Sequence, residues 1–157
     1  MDLADLQRDL AAGLTGRGPG PEGMDRRVLE RARCGLESKR RRAASPLVSR
    51  LREVLGAHWS KRFAQHAAGY TPSGLLYHVD DAWELAESLS RDPDRAITIA
   101  ARDDLALLRL RWVRRSGSEA GRIRERRGPW IARVRSPVPL LMVRLPGRQG
   151  TVWRFRR

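Results

Sequence analysis

Three histidines and one cysteine are the side chains of this sequence best suited to metal binding or nucleophilic catalysis. His58 and His66 are separated by eight positions. That separation places them roughly 80° apart around a helix, unlike the i, i+4 pair of a helical zinc site. His78 and Asp81 are spaced to share a helical face, but no recognisable nucleophile motif accompanies them. The sequence therefore predicts no catalytic residue and no metal site, and an independent hydrolase or transferase finds no supporting motif.

Charge is the unusual feature of the chain. It has 32 Lys and Arg against 18 Asp and Glu, a net charge of +14, and only Lys39 and Lys61 are lysines. Residues 1–90 contain 14 basic and 12 acidic side chains, whereas residues 105–157 contain 15 arginines against Glu119 and Glu125. A genomic preference for arginine explains the residue type but not the sign of the charge. This asymmetry of charge favours an acidic ligand. The alternatives are nucleic acid, an acidic peptide and an acidic protein surface.

The candidate binding site is a set of arginines on predicted strands. From Leu108 onward, apolar residues alternate with arginine, and three later segments repeat the pattern. The planar guanidinium matches carboxylate and phosphate groups, so several on one sheet face form an electropositive surface. The alternative is that they are the ordinary polar residues of a solvated face. The predicted peptide- or anion-binding residues are Arg109, Arg111, Arg133, Arg135, Arg144, Arg154 and Arg156.

Four aromatic residues of the same strands are expected on the apolar face, namely Trp112, Trp130, Trp153 and Phe155. A protein that binds single-stranded nucleic acid stacks bases on exposed aromatic rings, so burial of these rings argues against that use. Binding to nucleic acid through charge alone stays open, because arginines also crowd the predicted loop at Arg122, Arg124, Arg126 and Arg127.

Helical periodicity precedes the strands. It predicts helices from Asp2 to Leu14, from Asp25 as N-cap, from Ser45-Pro46 through Phe63, and after Thr71–Gly74. The second helix ends in the run Lys39–Arg42, which is either a nucleic-acid signal or a set of solvated cations at the negative end of a helix. The fourth helix carries Asp80, Asp81, Glu84 and Glu87, expected largely outside its buried stripe. This acidic face would receive a basic partner or the arginines of the second half of the chain.

The predicted fold class is α+β. An N-terminal bundle of about four helices occupies residues 1–92, and a basic antiparallel sheet of about four strands occupies residues 93–157, in one compact unit. Residues 95–104 fit either a short helix or an extended link, and the first strand is expected between Asp104 and Arg115.

The expected location is the cytoplasm. Cys34 is the only cysteine, which excludes an internal disulfide and fits a reducing compartment. The first residues lack a secretion signal. No stretch approaches the roughly 18 apolar residues that a membrane span needs.

Three segments of the chain resemble a small domain that is fused to, or encoded beside, multinuclear non-heme iron-dependent oxidases. They run from Val28 to Arg42, from Leu47 to Phe63 and from Pro72 to Leu89, and include the basic stretch that closes one helix and the Leu-Gly followed by aromatic residues in the next. Those oxidases modify cysteine and other residues of ribosomally made peptides. The resemblance implies a non-catalytic accessory protein without a cofactor, which binds the oxidase subunit that holds the iron.

The same resemblance implies capture of a precursor peptide, often by strand addition to a sheet edge. In such RiPP biosynthesis (of ribosomally synthesised and post-translationally modified peptides), the basic sheet would attract an acidic leader peptide. Reversing Arg133 and Arg135 to Glu is expected to weaken leader peptide binding. The alternative is a nucleic-acid-binding protein that uses the same arginine-rich face, with a steep loss of affinity in salt.

Overall fold

The computed structural model describes residues 2–72, 74–114, 123–126, 130–134, 140–144 and 152–156 of the 157-residue chain. Within these ranges, helices come first and short strands follow, so the α+β class is confirmed. The helices are α1 (Leu3–Thr15), α2 (Arg26–Ala44), α3 (Ser49–Leu55), α4 (Trp59–Gly69), α5 (Tyr77–Leu89) and α6 (Arg95–Arg111). Single 3-10 turns, Ser45–Leu47 and Gly56–His58, precede and follow α3.

Local chemistry sets several helix boundaries. Asp25 caps α2 by accepting a 2.7 Å hydrogen bond from the backbone N–H of Arg27, as its position predicts. The predicted third helix is instead two helices, because the chain breaks at Gly56. The φ of Gly56 is +48°, a backbone conformation that residues with a Cβ rarely adopt. Within the predicted stripe, Leu51, Leu55 and Phe63 are buried, but Val54 is exposed.

The hydrophobic core lies among α3, α4, α5 and α6. It includes both large residues of α4 and most of the inner face of α5, and α1 stays outside it, against α2. Its main members are Val48, Leu51, Leu55, Trp59, Phe63, Val79, Trp83, Leu85, Leu89, Ile97, Leu105, Leu108 and Trp112.

The span from residue 95 to 111 is one continuous helix. It confirms the helical alternative for residues 95–104 and corrects the strand that was predicted to begin at Asp104. Asp94 caps it, accepting a 2.8 Å hydrogen bond from the backbone N–H of Ala96. Leu108 and Leu110 lie on nearly opposite sides of α6, yet both are buried. Because α6 packs against α3, α5 and a later strand, its apolar residues alternate over a few positions as they would in a strand. The helical part thus extends to Arg111.

The described strands form two small antiparallel sheets, where a single sheet of about four strands was predicted. Strand β1 (Trp112–Arg114) pairs with β2 (Ile123–Glu125). Strands β3 (Trp130–Val134), β4 (Leu140–Arg144) and β5 (Val152–Arg156) form the second sheet in the order β3-β4-β5. Strand β3 lies against α6, so β5 forms the opposite edge of that sheet.

Candidate functional site

The predicted arginines are distributed over helix and sheet. Arg109 and Arg111 lie in the last turn of α6 and are exposed, not on a strand as predicted. Arg133 lies on β3, Arg144 on β4, and Arg154 and Arg156 on β5. The remaining candidate, Arg135, lies outside the described residues.

The strand register divides the arginines of the second sheet between its two faces. Residues directly opposite each other on antiparallel strands share a face, and alternate residues of one strand do so too. Arg154 is opposite Met142 and Arg156 is opposite Leu140, so both share a face with Arg144. Arg133 is opposite Leu141, on the other face. The sequence predicted one arginine face, and the register places Arg133 one residue out of phase with Arg144, Arg154 and Arg156.

The same register separates the aromatic residues. Trp130 is opposite Arg144 and therefore shares the face of the three arginines. Trp153 and Phe155, opposite Val143 and Leu141, belong to the other face. Three aromatic positions were predicted on one face of these strands, and the register places them on both faces.

The two arginines of α6 contact aromatic rings. The Cζ atom of Arg109 lies 5.9 Å from the ring centroid of Trp83, and that of Arg111 lies 4.8 Å from the ring centroid of Trp112. Both are within the range of cation–π attraction. The Nε atom of Arg111 also lies 3.8 Å from a carboxylate oxygen of Glu125 on β2. These arginines are exposed, but their guanidinium groups already lie over the rings of two core tryptophans.

The basic run at the end of α2 does not form one solvated patch. Arg40 is buried and donates two hydrogen bonds to Asp81, of 3.0 Å from Nε and 2.6 Å from Nη2. Its Nη2 also donates to the backbone oxygen of Tyr70 at 2.9 Å. Arg41 pairs with Glu37 at 3.3 Å. Within this run, only Lys39 and Arg42 are exposed. The sequence left two alternatives for the run, a nucleic-acid signal or a set of solvated cations, and neither holds for Arg40, because its side chain is buried.

Asp81 on α5 is completely buried at the centre of this contact. The Nε2 atom of His66 lies 3.4 Å from Oδ1 of Asp81, and Arg40 donates to both carboxylate oxygens. Burial by itself raises the pKa of Asp81, but the hydrogen bonds and charges of His66 and Arg40 outweigh burial and hold the pKa below its ordinary value. Asp81 is therefore a carboxylate that the fold needs in its ionised form.

The neighbouring Asp80 is also completely buried. The Tyr70 hydroxyl donates a 2.5 Å hydrogen bond to Asp80 Oδ2. Burial and then the Asp80 carboxylate raise the pKa of Tyr70 above its ordinary value, so the phenol stays protonated and donating. Asp80 and Asp81 were predicted outside the buried stripe of α5, and this was wrong because α5 is covered on several sides.

Arg114 of β1 pairs with the acidic face of α5. Its guanidinium forms an ion pair with Glu84, lies 3.8 Å from Asp80 Oδ1 and lies 3.6 Å from Glu87 Oε2. Burial lowers the pKa of Arg114, but the surrounding acids, Glu84 first, raise it above its ordinary value. The sequence left two possibilities for this acidic face, a basic partner or the arginines of the second half of the chain. The structure shows an arginine of the second half, Arg114, in contact with it.

These contacts form an arginine–carboxylate network that joins α2, α4, α5 and β1. Sequence reasoning did not find its two central cations, Arg40 and Arg114. Arg40 precedes the fully buried Ala44 by four residues and therefore shares its helical face, although Leu36, one turn earlier, is exposed. The network consists of Arg40, His66, Tyr70, Asp80, Asp81, Glu84, Glu87 and Arg114.

The histidines are dispersed. His58 is exposed and His78 half-buried, while His66 belongs to the arginine–carboxylate network. Across the described ranges, no three residues among His, Cys, Asp and Glu are grouped so as to hold a metal ion. Nor does any helix of those ranges have the length and apolar composition required to cross a bilayer.

Comparison with protein families gives a match over the helical part of the chain. Residues 4–91 match the family model described as "SCO6045-like, C-terminal domain". The matched span runs from α1 through α5 and contains every member of the arginine–carboxylate network except Arg114. No curated protein and no solved structure matches the chain.

Proposed function

This chain belongs to the SCO6045-like, C-terminal domain family, and we propose that it is a non-catalytic partner protein of a multinuclear non-heme iron oxidase. In this proposal it binds the oxidase and recruits the leader of a ribosomally synthesised precursor peptide. The iron and its ligands belong to the oxidase, and the contribution of this chain is binding. The resemblance of the three helical segments supports the first part of the proposal, and the strand part of the molecule supports the second.

The observation that carries peptide recruitment is the charge of the strand part. Residues 105–157 contain 15 arginines against two glutamates. One of these glutamates, Glu125, lies beside Arg111. Carboxylates of the same region are thus too few to neutralise its arginines, and a surface of this kind attracts an acidic chain and accelerates encounter with it.

Strand β5 supplies a place for such a chain to dock. Among the described strands it pairs with β4 alone, so its other edge has main-chain groups available for strand addition. Arg154 and Arg156 are two positions apart on β5 and share a face. Two positions along a strand are roughly 6.6 Å apart, so an added strand with acidic residues at alternate positions would match their spacing. This arrangement supports a leader that is both acidic and extended.

Nucleic-acid binding is the competing function, and charge alone supports it. The same arginines suit phosphate groups as well as carboxylates. A nucleic-acid binder would lose affinity steeply as salt rises and would show little preference among sequences. A peptide captured by strand addition keeps the contribution of main-chain hydrogen bonds at higher salt.

A charge-reversal pair tests the proposed site. The double variant Arg154→Glu, Arg156→Glu changes the arginines of β5, and Arg17→Glu, Lys61→Glu makes the same change in charge at two exposed positions of the helical part. The probes are a fluorescent peptide of alternating Glu and Val and a fluorescent single-stranded DNA of similar length, each followed by anisotropy. We expect the β5 variant to bind the peptide at least about tenfold more weakly, and the control variant to stay within about threefold of the wild type.

Equal losses in the two variants would contradict a site on β5, and binding of the DNA in preference to the peptide would favour the competing function. The oxidase is tested separately, by purifying the tagged protein from its native host with and without nuclease. Recovery of an iron oxidase in equal amounts after nuclease treatment is the expected result. Recovery of nucleoid and ribosomal proteins that nuclease removes would overturn the proposal.

A further inference from the structure

The β1–β2 pair is attached to the helices by one buried tryptophan at its start and, beyond that residue, mainly by polar contacts. Trp112 at the start of β1 is buried in the core, and Ile123 of β2 packs against that core while only half-buried. Val113 is half-buried, and Arg124 and Glu125 are exposed. Beyond Trp112 the pair buries little apolar surface, and an isolated two-stranded pair is at best marginally stable, so its far part depends on other contacts.

Arg114 makes the principal contact between this pair and α5. Its side chain is 24% exposed and is surrounded by Asp80, Glu84 and Glu87. Asp80 is fixed from the other side by the Tyr70 hydroxyl. Asp80 thus keeps its Tyr70 hydrogen bond whether or not Arg114 is present, whereas β1 has no other ion pair to α5 among the described residues.

Arg126, directly after β2, makes the second contact. Its backbone N–H donates to the backbone oxygen of Arg111 at 2.7 Å, and its Nε donates to the backbone oxygen of Arg109 at 3.0 Å. These carbonyls belong to the last turn of α6, whose oxygens have no partner within the helix. The strand pair therefore supplies hydrogen-bond donors to the last turn of α6 and an arginine to the acidic face of α5.

We infer that the β1–β2 pair is an electrostatically held strap, which opens while the helices stay folded and which an acidic ligand releases by competing for Arg114. Local opening is easiest where few apolar contacts are lost, and a partly exposed ion pair is weakened by salt. A ligand that pairs with the strand arginines binds the open form better and so increases its population. This last step rests on the proposed function; the opening of the strap does not.

Hydrogen exchange of the backbone amides tests the strap without any ligand. We expect Arg114→Gln to accelerate exchange at residues 112–114 and 123–125 about tenfold or more, with little change in the interior of α5 and α6. The matched control is Arg91→Gln, which removes one exposed arginine beyond the end of α5 and is expected to leave the strap unchanged. Raising the NaCl concentration from about 50 mM to about 500 mM should accelerate the same amides in the wild type but not in Arg114→Gln.

The inference is overturned if exchange in the strap is unchanged in Arg114→Gln, or if it accelerates only together with α5 and α6. Should Arg114→Gln fail to fold, the double variant Glu84→Gln, Glu87→Gln removes the attraction between α5 and Arg114 from the side of the glutamates. The same exchange results are expected of it, and the same results would overturn the inference. Both glutamates are at least partly exposed, and Asp80 keeps Arg114 beside it in this variant, so no buried carboxylate loses its counter-charge.

Polyglutamate then tests release by a ligand. In the wild type, a saturating amount is expected to accelerate exchange at residues 112–114, and in Arg114→Gln it is expected to add nothing. Polyglutamate that binds without accelerating exchange overturns the competition for Arg114. Polyglutamate that does not bind at all contradicts the proposed function, while the ligand-free exchange still decides whether the strap opens.

Discussion

The helical part of the molecule, residues 2–111, and the strand part, which follows it, use arginine in opposite ways. In the helical part, Arg40 is buried on Asp81, and Arg62 lies 3.3 Å from Asp92. In the strand part, two glutamates accompany far more arginines, so the carboxylates of that part are too few to neutralise its charge. Arg114 connects the two parts, because its carboxylates lie on α5. A run of cations therefore indicates an external ligand only where the same chain supplies no carboxylate to it.

The largest expected effect comes from removing a buried charge of the helical part. Asp81→Asn leaves the buried guanidinium of Arg40 without its counter-charge, which costs about 3–5 kcal/mol. Thermal and urea unfolding measure this loss. The exposed Asp9→Asn serves as the control, with a change within about 0.5 kcal/mol. The combined replacement Arg40→Met, Asp81→Leu removes both charges and should recover much of the loss. An Asp81→Asn protein as stable as the wild type would show that the helical part does not depend on this pair.

A second buried carboxylate predicts pH dependence. Asp104 on α6 accepts a 2.8 Å hydrogen bond from the backbone N–H of Leu51, which joins α6 to α3. Burial raises the pKa of Asp104 to about 6, against which the Leu51 hydrogen bond and Arg50 act. A raised pKa in the folded state means that stability from this group is present at low pH and is lost as pH rises from about 4 through about 6.

Asp104→Asn should remove this dependence, because the amide oxygen still accepts from Leu51 and does not ionise. The free energy of unfolding of the variant, relative to that of the wild type, is expected to increase by about 2–3 kcal/mol between pH 4 and pH 7. Urea unfolding at a series of pH values measures it. A difference that stays constant with pH would mean that Asp104 titrates alike in the folded and unfolded chain.

A smaller effect is expected from the backbone break between α3 and α4. At Gly56 a Cβ would meet no atom within 4 Å, so Gly56→Ala changes only the backbone energy at a φ of +48°. We expect a loss of about 1–2 kcal/mol. Gly35→Ala is the matched control, since Gly35 lies inside α2 with equally open space, and it should stabilise by about 0.5–1 kcal/mol. Equal effects at the two glycines would contradict the role given to the break.

The smallest expected effect on stability is in the strand part. If the arginines of β5 serve an external ligand, Arg154→Glu, Arg156→Glu should change the free energy of unfolding by less than about 1 kcal/mol, while peptide binding falls. This contrast with Asp81→Asn is what separates the two parts. A destabilisation as large as that of Asp81→Asn would assign the β5 arginines to the fold and weaken the proposed binding site.

Sequence alone determined the features that depend on near neighbours in the chain. The α+β class, the capping of α2 by Asp25 and the unequal charge of the two halves of the chain all follow from residue type and short spacing. The burial of Leu51, Leu55 and Phe63 follows from the same periodicity.

Tertiary structure decided how each stretch is surrounded. From Leu108 to Arg111, apolar residues alternate with arginine. This pattern is compatible with a strand and with a helix buried on two sides, and only the packing of α6 against α3, α5 and β3 selects the helix. The register between strands, not alternation within each one, sets Arg133 apart from Arg144, Arg154 and Arg156. Arg40 and Arg114 meet their carboxylates across long separations in sequence, and a local pattern carries no information on such a pairing until the helices have packed.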